Sequence, residues 1–418
     1  MLSSYRQIFA APGTLAFSSA GLVSRLPISM TGIGIVTMLS QLRDSFGVAG
    51  AVAAVLALSA AAIGPQVSRL VDRYGQRRVA LPATAVTLAA ATALLLCARL
   101  GAPDWTLFVC AAAMGGMPST GAMVRARWAY LYRDEAPKLH TAYSYEAVMD
   151  EICFIVGPIL SIGLATAVFP EAGVLLAAVF LTVGVLLFTA QRRTEPPVHP
   201  AAHHSGPSVI RNAGLQVLVL TFVATGAIFG SVEVVTVAFA EEQGHTAASS
   251  LVLAVYALGS CLAGVVYGTL HFKGPLASRF LGGVALMAAS MVPLVVVGQL
   301  VTGTGGLVAL GLALFVAGIS VSPTLIAAMA TVERLVPAAQ LTEGMTWTTT
   351  GLALGVAFGS SAAGWVVDAS GAPAGYWVPV GAGAFGALTA VLGLGRLRAG
   401  LLSAEAGTRP PQTVDLGH

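Results

Sequence analysis

Five ionisable side chains stand inside or at the edge of long uncharged stretches: Arg25, Glu146, Asp150, Glu151 and Glu233. Arg25 occupies Leu22-Val23-Ser24-Arg25-Leu26-Pro27, and Glu233 occupies Val232-Glu233-Val234-Val235. A charge within an apolar helix costs about 2.5–3.5 kcal/mol on insertion scales, so each calls for a partner or a task. Carboxylates in such places can bind and release protons, and an arginine can pair with one or hold an anionic group. At about 100° per residue Glu146 and Asp150 share one helix face, while Glu151 points roughly 100° away from Asp150. Other readings stay open for each. Arg25 can snorkel to the nearer interface. Glu233, about two turns from Glu241 and Glu242, can be an outer-interface residue. The three acids at 146–151 can lie at the inner interface or in the mouth of a solvated cavity.

The elements that must carry these residues follow from composition. Of 418 residues, 56% are hydrophobic and only 9% are Asp, Glu, Lys or Arg. A soluble surface needs roughly a quarter charged residues, so a chain this poor in charge is not built to face water. The runs 152–169 and 173–190 are each eighteen residues without a charge. At about 1.5 Å per residue, a helix of that length crosses most of a ~30 Å hydrocarbon layer. Apolar runs between short polar breaks predict twelve helices, at 16–40, 48–68, 79–99, 106–127, 140–168 and 172–190, then 213–239, 247–270, 276–300, 306–331, 341–366 and 376–398. A barrel strand needs only about ten residues of alternating polarity, which these runs lack. The predicted fold is an all-α membrane protein, with a first bundle at 1–190, a linker at 191–212, a second bundle at 213–398 and a tail at 399–418.

Basic residues set the expected orientation. With both termini cytoplasmic, 18 of the 21 lysines and arginines fall on the inner side, two (Arg43 and Arg99) fall outside, and Arg25 falls within the membrane. Arg125 and Arg127 count among the inner charges, with Trp128, Tyr130 and Tyr132 as an interfacial aromatic belt. The linker carries Pro196, Pro197, Pro200 and Pro207 with His199, His203 and His204, and reads as a solvated connection rather than a metal site. Cys97, Cys110, Cys153 and Cys261 lie in apolar runs without C-x-x-C spacing and read as small buried side chains. The N-terminus has no cleavable signal pattern, so the first helix is expected to stay.

At an offset of about 200 residues the chain matches itself weakly. Residues 28–39 align with 228–239, Gly64 with Gly264, Leu70 with Leu270, Arg73 with Lys273 and Ser68 with Gly268. Six helices, a linker and six helices is the arrangement in which two related halves rock about a midplane site.

After the second predicted helix the chain reads Ser68-Arg69-Leu70-Val71-Asp72-Arg73-Tyr74-Gly75-Gln76-Arg77-Arg78. This stretch resembles the signature of the major facilitator superfamily, Gly-x-Leu-x-Asp-Arg-x-Gly-Arg-Lys. Leu70, Asp72, Arg73, Gly75 and Arg77 match, whereas Ser68 replaces the first glycine and Gln76 a basic residue. The resemblance implies two pseudo-symmetric six-helix bundles. It also implies that Asp72 latches the inner gate against the N-terminus of the eleventh helix, where a carboxylate is favoured. A plain tight turn is the other reading. The second copy, Gly268-Thr269-Leu270-His271-Phe272-Lys273, has Phe272 where the acid would fall. The resemblance makes the first and fifth helices neighbours, so Arg25 is expected to pair with one of Glu146, Asp150 or Glu151.

The fifth helix also carries Gly157-Pro158, which resembles part of a motif of proton-driven drug exporters, although Ser161 and Ile162 stand where that motif has paired glycines. A kinked, closely packed helix is the plain alternative. Gly351, Gly355 and Gly359 form one small-residue stripe on the eleventh helix. There is no G-x-x-x-x-G-K-[ST] and no H-E-x-x-H, and the polar segments are too short for a soluble catalytic domain. The expectation is therefore a secondary transporter rather than an enzyme, without cofactor or metal. It is expected to export a small amphipathic or apolar organic compound against protons from the inner membrane. A proton-coupled importer of a small polar metabolite, or a non-transporting membrane sensor, are the alternatives. Expected partners are the substrate, protons and the lipid bilayer, with no nucleic acid, and the expected state is a monomer.

Overall fold

The computed structural model describes residues 2–43, 46–198, 208–245, 248–270, 274–301 and 303–407. A short helix, α1 (Leu2–Ile8), precedes α2 (Thr14–Arg43), α3 (Phe46–Tyr74), α4 (Gln76–Arg99), α5 (Asp104–Met114), α6 (Thr120–Leu131), α7 (Ala136–Ala167) and α8 (Ala172–Ala190). The second half holds α9 (Ala213–Glu242), α10 (Ala248–Tyr267), α11 (Leu276–Ser290), α12 (Val292–Leu300), α13 (Gly303–Gly318), α14 (Val321–Leu335), α15 (Leu341–Ser370), α16 (Ala372–Gly375) and α17 (Trp377–Gly407). No strand occurs among the described residues. Eleven spans among them are long and apolar enough to cross a membrane, and α5 with α6 supplies the twelfth. The protein is all-α, with twelve spans in two pseudo-symmetric six-helix bundles.

Three predicted helices are broken where the sequence weakens them. The helix expected over 106–127 divides at 115–119, where Gly115, Gly116 and Pro118 interrupt the hydrogen-bond ladder. A Cβ on Gly115 would stand 2.6 Å from Ser59 Cβ, so the break also lets α3 approach. The segment at 276–300 divides at Met291, two residues before Pro293, and the one at 306–331 divides after Gly318. The linker histidines His199, His203 and His204, together with His271, Phe272, Lys273 and Arg409, lie outside the described residues.

Each half packs within itself, as α2 packs on α3, α7 and α8, and α9 packs on α15 and α17. They meet along two related seams, α3 on α15 and α10 on α7. Among the described residues, the hydrogen bonds that join the halves lie between the end of the molecule carrying the chain termini (the terminal side) and the level of Glu151.

The α9–α15 pair is the tightest place in the second half. A Cβ on Gly355 would lie 2.0 Å from the Val223 carbonyl oxygen, and one on Gly226 would lie 2.0 Å from the Leu352 carbonyl oxygen. The stripe read on the eleventh helix therefore seats on the α9 backbone at Val219, Val223 and Ala227, while Gly226 and Gly230 of α9 admit the α15 backbone in return, and the backbones touch without side chains between them. Gly355→Ala should lower stability by about 1–3 kcal/mol through overpacking. Gly364→Ala, where a Cβ meets nothing within 4 Å, should leave it unchanged or higher. Thermal unfolding of the two purified variants makes the comparison, and equal midpoints would contradict it.

Candidate functional site

Three helices of the first half build a buried charge cluster. The α2 residue Arg25 pairs with Glu146 of α7, and its Nη1 donates to Asp150 Oδ1 at 2.7 Å. Arg125 of α6 pairs with the other oxygen of Asp150. Trp128 Nε1–H donates to Glu146 Oε1 at 2.7 Å, and the Ser18 hydroxyl reaches the same oxygen at 3.4 Å. Arg25, Arg125 and Glu146 are buried, whereas the Asp150 side chain remains 32% exposed. Two cations meet two carboxylates, so the cluster carries no net charge when all four are ionised. Glu146 and Asp150 reach Arg25 together because they stand one turn apart on the same face of α7. Where the sequence reading expected one carboxylate for Arg25, the structure supplies two. Arg25, Arg125 and Glu146 are buried ions, and leaving one of them uncompensated costs about 3–5 kcal/mol.

Glu151 belongs to a different environment. It turns to the second half, where the Ser260 hydroxyl of α10 donates to its Oε1 at 2.6 Å. Ser260 in turn lies 2.8 Å from the Ser322 hydroxyl of α14. Among the described residues Glu151 has no ion-pair partner. Glu233 on α9 is exposed and likewise makes no ion pair among them, so the structure does not bring it into the cluster.

The motif after α3 meets the first turn of α15. Asp72 Oδ1 accepts from the Thr342 backbone N–H at 3.2 Å, and Oδ2 accepts from that of Glu343 at 2.8 Å. These donors are among the four that a helix start leaves without intrahelical partners. Ser68, which replaces the motif's glycine, lies 2.8 Å from the Thr346 hydroxyl, and Arg69 reaches Glu343 at 3.9 Å. Gly75 has φ +94°, a conformation an L side chain rarely adopts, and it starts α4 directly after α3 ends. Arg73 lies over the Tyr74 ring, and the Arg77 backbone N–H donates to Glu195 Oε1 at 3.0 Å.

The other departure from the motif has a local explanation. Gln76 Oε1 accepts from Arg127 Nε at 2.8 Å, while its Nε2 donates to the Met123 carbonyl at 3.0 Å. Arg127 is fully buried, donates to the Gln191 carbonyl and the Thr194 hydroxyl, and lies over the Phe188 ring at 3.8 Å. Arg125 and Arg127 are thus interior residues, not surface charges. The expected aromatic belt is corrected with them. Trp128 and Tyr132 are buried, the first on Glu146 and the second donating to the Ile8 carbonyl at 2.6 Å, and only Tyr130 stays partly exposed. Sequence reasoning missed Arg125 and Trp128 as members of the cluster. The available signal was α6 itself, where two arginines and a tryptophan fall within four residues of an otherwise apolar segment.

Gly157 and Pro158 lie where α7 crosses α2. A Cβ on Gly157 would stand 2.0 Å from the Ser29 hydroxyl oxygen, and α7 stays continuous through Pro158. Ser161, where the exporter pattern has glycine, is buried and donates to the Met30 carbonyl at 3.0 Å.

The sequence profile of the Major Facilitator Superfamily matches residues 17–314. The chain belongs to that superfamily. No curated protein matches the sequence. Solved structures similar in fold include a bacterial homologue of the iron transporter ferroportin in an outward-facing state, at 14% identity and TM-score 0.71, covering 92% of this chain and 99% of that one. The human organic anion transporter MFSD10 aligns at 14% identity and TM-score 0.68, over 93% of this chain and all of that one. The E. coli fucose:proton symporter aligns at 14% identity and TM-score 0.64, over 91% and 98%. Identities this low carry the fold alone. Within the superfamily, secondary transport of small molecules across a bilayer is the shared activity, and this chain is a multi-pass transporter of that class.

Two outcomes follow for this transporter. Arg25→Leu should lower the thermal midpoint and the folded yield, and Arg25→Leu with Glu146→Gln should recover part of the loss; strictly additive losses would exclude a coupled pair. Asp72→Asn should speed amide hydrogen exchange in the first turn of α15 several-fold, because the neutral side chain loses the attraction of the helix start, worth about 0.3–1 kcal/mol and up to ~2 when partly buried. Exchange there equal to the parent's would contradict the contact.

Proposed function

We propose that the chain is a proton-coupled exporter of a small amphipathic or apolar organic compound, working by alternating access, with Glu151 as the proton carrier. The observation that carries this reading is the contrast among the carboxylates of α7. Glu146 and Asp150 are neutralised by Arg25 and Arg125, whereas among the described residues Glu151 has only the Ser260 hydroxyl as its direct partner, across the seam between the halves. Opening the seam breaks that bond, and burying a carboxylate as an ion costs far more than burying it as the acid. Separation and rejoining of the halves are thereby tied to proton release and uptake at one atom.

The remaining assignments follow. The arginine excess at the terminal side makes that side cytoplasmic, so the hydrogen-bonded seams close the cytoplasmic side and access is from outside. Asp72 on α15 latches this state, with Arg73, Gly75 and Arg77 shaping the turn behind it. Asp150, the one partly exposed member of the cluster, and Glu233 are the charged groups available to a substrate. The uncharged outer half of α7 after Glu151 supplies apolar wall, which favours an apolar or amphipathic cargo and export over import. The halves are 1–190 and 213–398, joined by the linker at 191–212.

Proteoliposomes under an imposed pH gradient, challenged with a panel of amphipathic cations, anions and neutral compounds, test the proposal. Flux opposite to the proton gradient is expected for the parent. Glu151→Gln should lose at least 10-fold of the gradient-driven flux while compound exchange without a gradient persists. Co-directional flux would make the chain an importer. Parent-like pH dependence in Glu151→Gln, with its loss in Glu233→Gln, would move the carrier to α9.

A further inference from the structure

The two seams are related by the internal repeat, yet among the described residues only one has an acid on a helix start. In the α3–α15 seam the side chain of α3 accepts, and the backbone N–H groups of α15 donate. At the terminal end of the α10–α7 seam, beyond the Ser260–Glu151 bond, the polarity is reversed. The last carbonyls of α10 have no further helical turn to satisfy them; the Val266 and Tyr267 carbonyls accept from the Thr269 and Leu270 N–H groups of the turn that follows, and the first half supplies further donors. Tyr5 O–H donates to the Val265 carbonyl at 3.0 Å, and Thr141 O–H donates to the Gly268 carbonyl at 2.9 Å. His140 Nε2 stands 2.9 Å from the Tyr267 carbonyl. A carbonyl can only accept, so that nitrogen carries the proton. The His140 and Tyr267 rings also meet at 5.1 Å.

The positions correspond across the repeat. Thr141 and Thr342 stand about 200 residues apart, each near the start of the long helix that closes its seam. Ser68 and Gly268 stand at the same offset. Ser68 meets Thr346, while a Cβ on Gly268 would stand 2.5 Å from both the Tyr5 hydroxyl oxygen and Ser144 Cβ. The glycine therefore lets the end of α10 settle against α7 and α1. Tyr5 belongs to a helix outside the twelve spans, and that helix is itself fixed to the first half, since the buried Ile8 offers its carbonyl to Tyr132.

We propose that the α10 C-terminus is the second latch of the gate, held by Tyr5, His140 and Thr141, and that α1 is a working part of it. The position facing Asp72 in the repeat is Phe272, and the second half needs no acid there because its seam is closed through carbonyls. This rests on the alternating-access reading, but the latch can be read without any transported compound.

Hydrogen exchange followed by mass spectrometry on the full-length protein in lipid nanodiscs tests it. Thr141→Val and Tyr5→Phe should each raise exchange of the amides at 264–270 at least threefold, and leave the first turn of α15 within twofold of the parent. Thr141→Ser should restore parent exchange. Asp72→Asn should give the reverse pattern, fast at 342–346 and unchanged at 264–270. Gly268→Ala, which wedges the seam sterically, should reproduce the loosening at 264–270. Parent-like exchange at 264–270 in both Thr141→Val and Tyr5→Phe overturns the latch. Exchange raised equally in the α9–α15 core would make these contacts general stabilisers and overturn it too. Failure of proton coupling at Glu151 would leave these patterns unaffected, so the two proposals fail separately.

Discussion

Everything in the first half is arranged around the need to neutralise Arg25. A guanidinium at that depth has no water to turn to, and its counter-charges must come from protein. Glu146 and Asp150 answer it from α7, and Asp150 then draws Arg125 from α6. The indole of Trp128 completes the coordination of Glu146. The cluster thus fixes the mutual rotation of α2, α6 and α7, because turning any of them by one residue would strand a charge. Glu151, one residue beyond Asp150, is presented to the other half by that same rotation. The residue read here as the proton carrier is aimed by the pairs that keep its neighbours neutral.

Helix ends do the corresponding work between the halves. Interior backbone groups of a helix are satisfied within it and have nothing to offer a partner, whereas the first N–H groups and the last C=O groups do. At the terminal side α15 begins and α10 ends, so the second half presents donors at one seam and acceptors at the other. The first half meets them with an acid on α3 and with hydroxyl and imidazole donors on α1 and α7. Each bond has a water-satisfied alternative once the seam opens, which is what a reversible closure needs. A comparable seam of apolar side chains would close as firmly but would carry no such choice of partner.

Spacing and composition made the large features legible. Charge scarcity and the length of the apolar runs required membrane helices, the repeat required two halves, and the motif at 68–78 located the turn between α3 and α4. The i, i+4 spacing of Glu146 and Asp150 was enough to give them a common face. What stayed hidden was which surface each arginine of α6 would meet. Arg125 and Arg127 are two residues apart and so point to different neighbours, one to Asp150 and the other to Gln76, Gln191 and Thr194. A rule that counts basic residues by side cannot distinguish a buried arginine near a helix end from a solvated one. Gln76 was equally opaque as a departure from a pattern, because its use depends on Arg127, which lies fifty-one positions away. The breaks at 115–119 and after Gly318 were written in glycine and proline, but hydropathy averages over them.

The glycine contact between α9 and α15 places a condition on how the halves move. With backbone against backbone at Gly226 and Gly355, these two helices cannot slide past one another without lifting the ridge of one out of the groove of the other. Relative motion is confined to surfaces where side chains lie between the backbones and can exchange partners. In this protein those surfaces are the two seams, where hydroxyls, an imidazole and carboxylates meet helix ends. The α9–α15 pair then moves as one unit, and the Asp72 contact on α15 and the Thr141 contact on α10 each sit on a surface that can part without disturbing it.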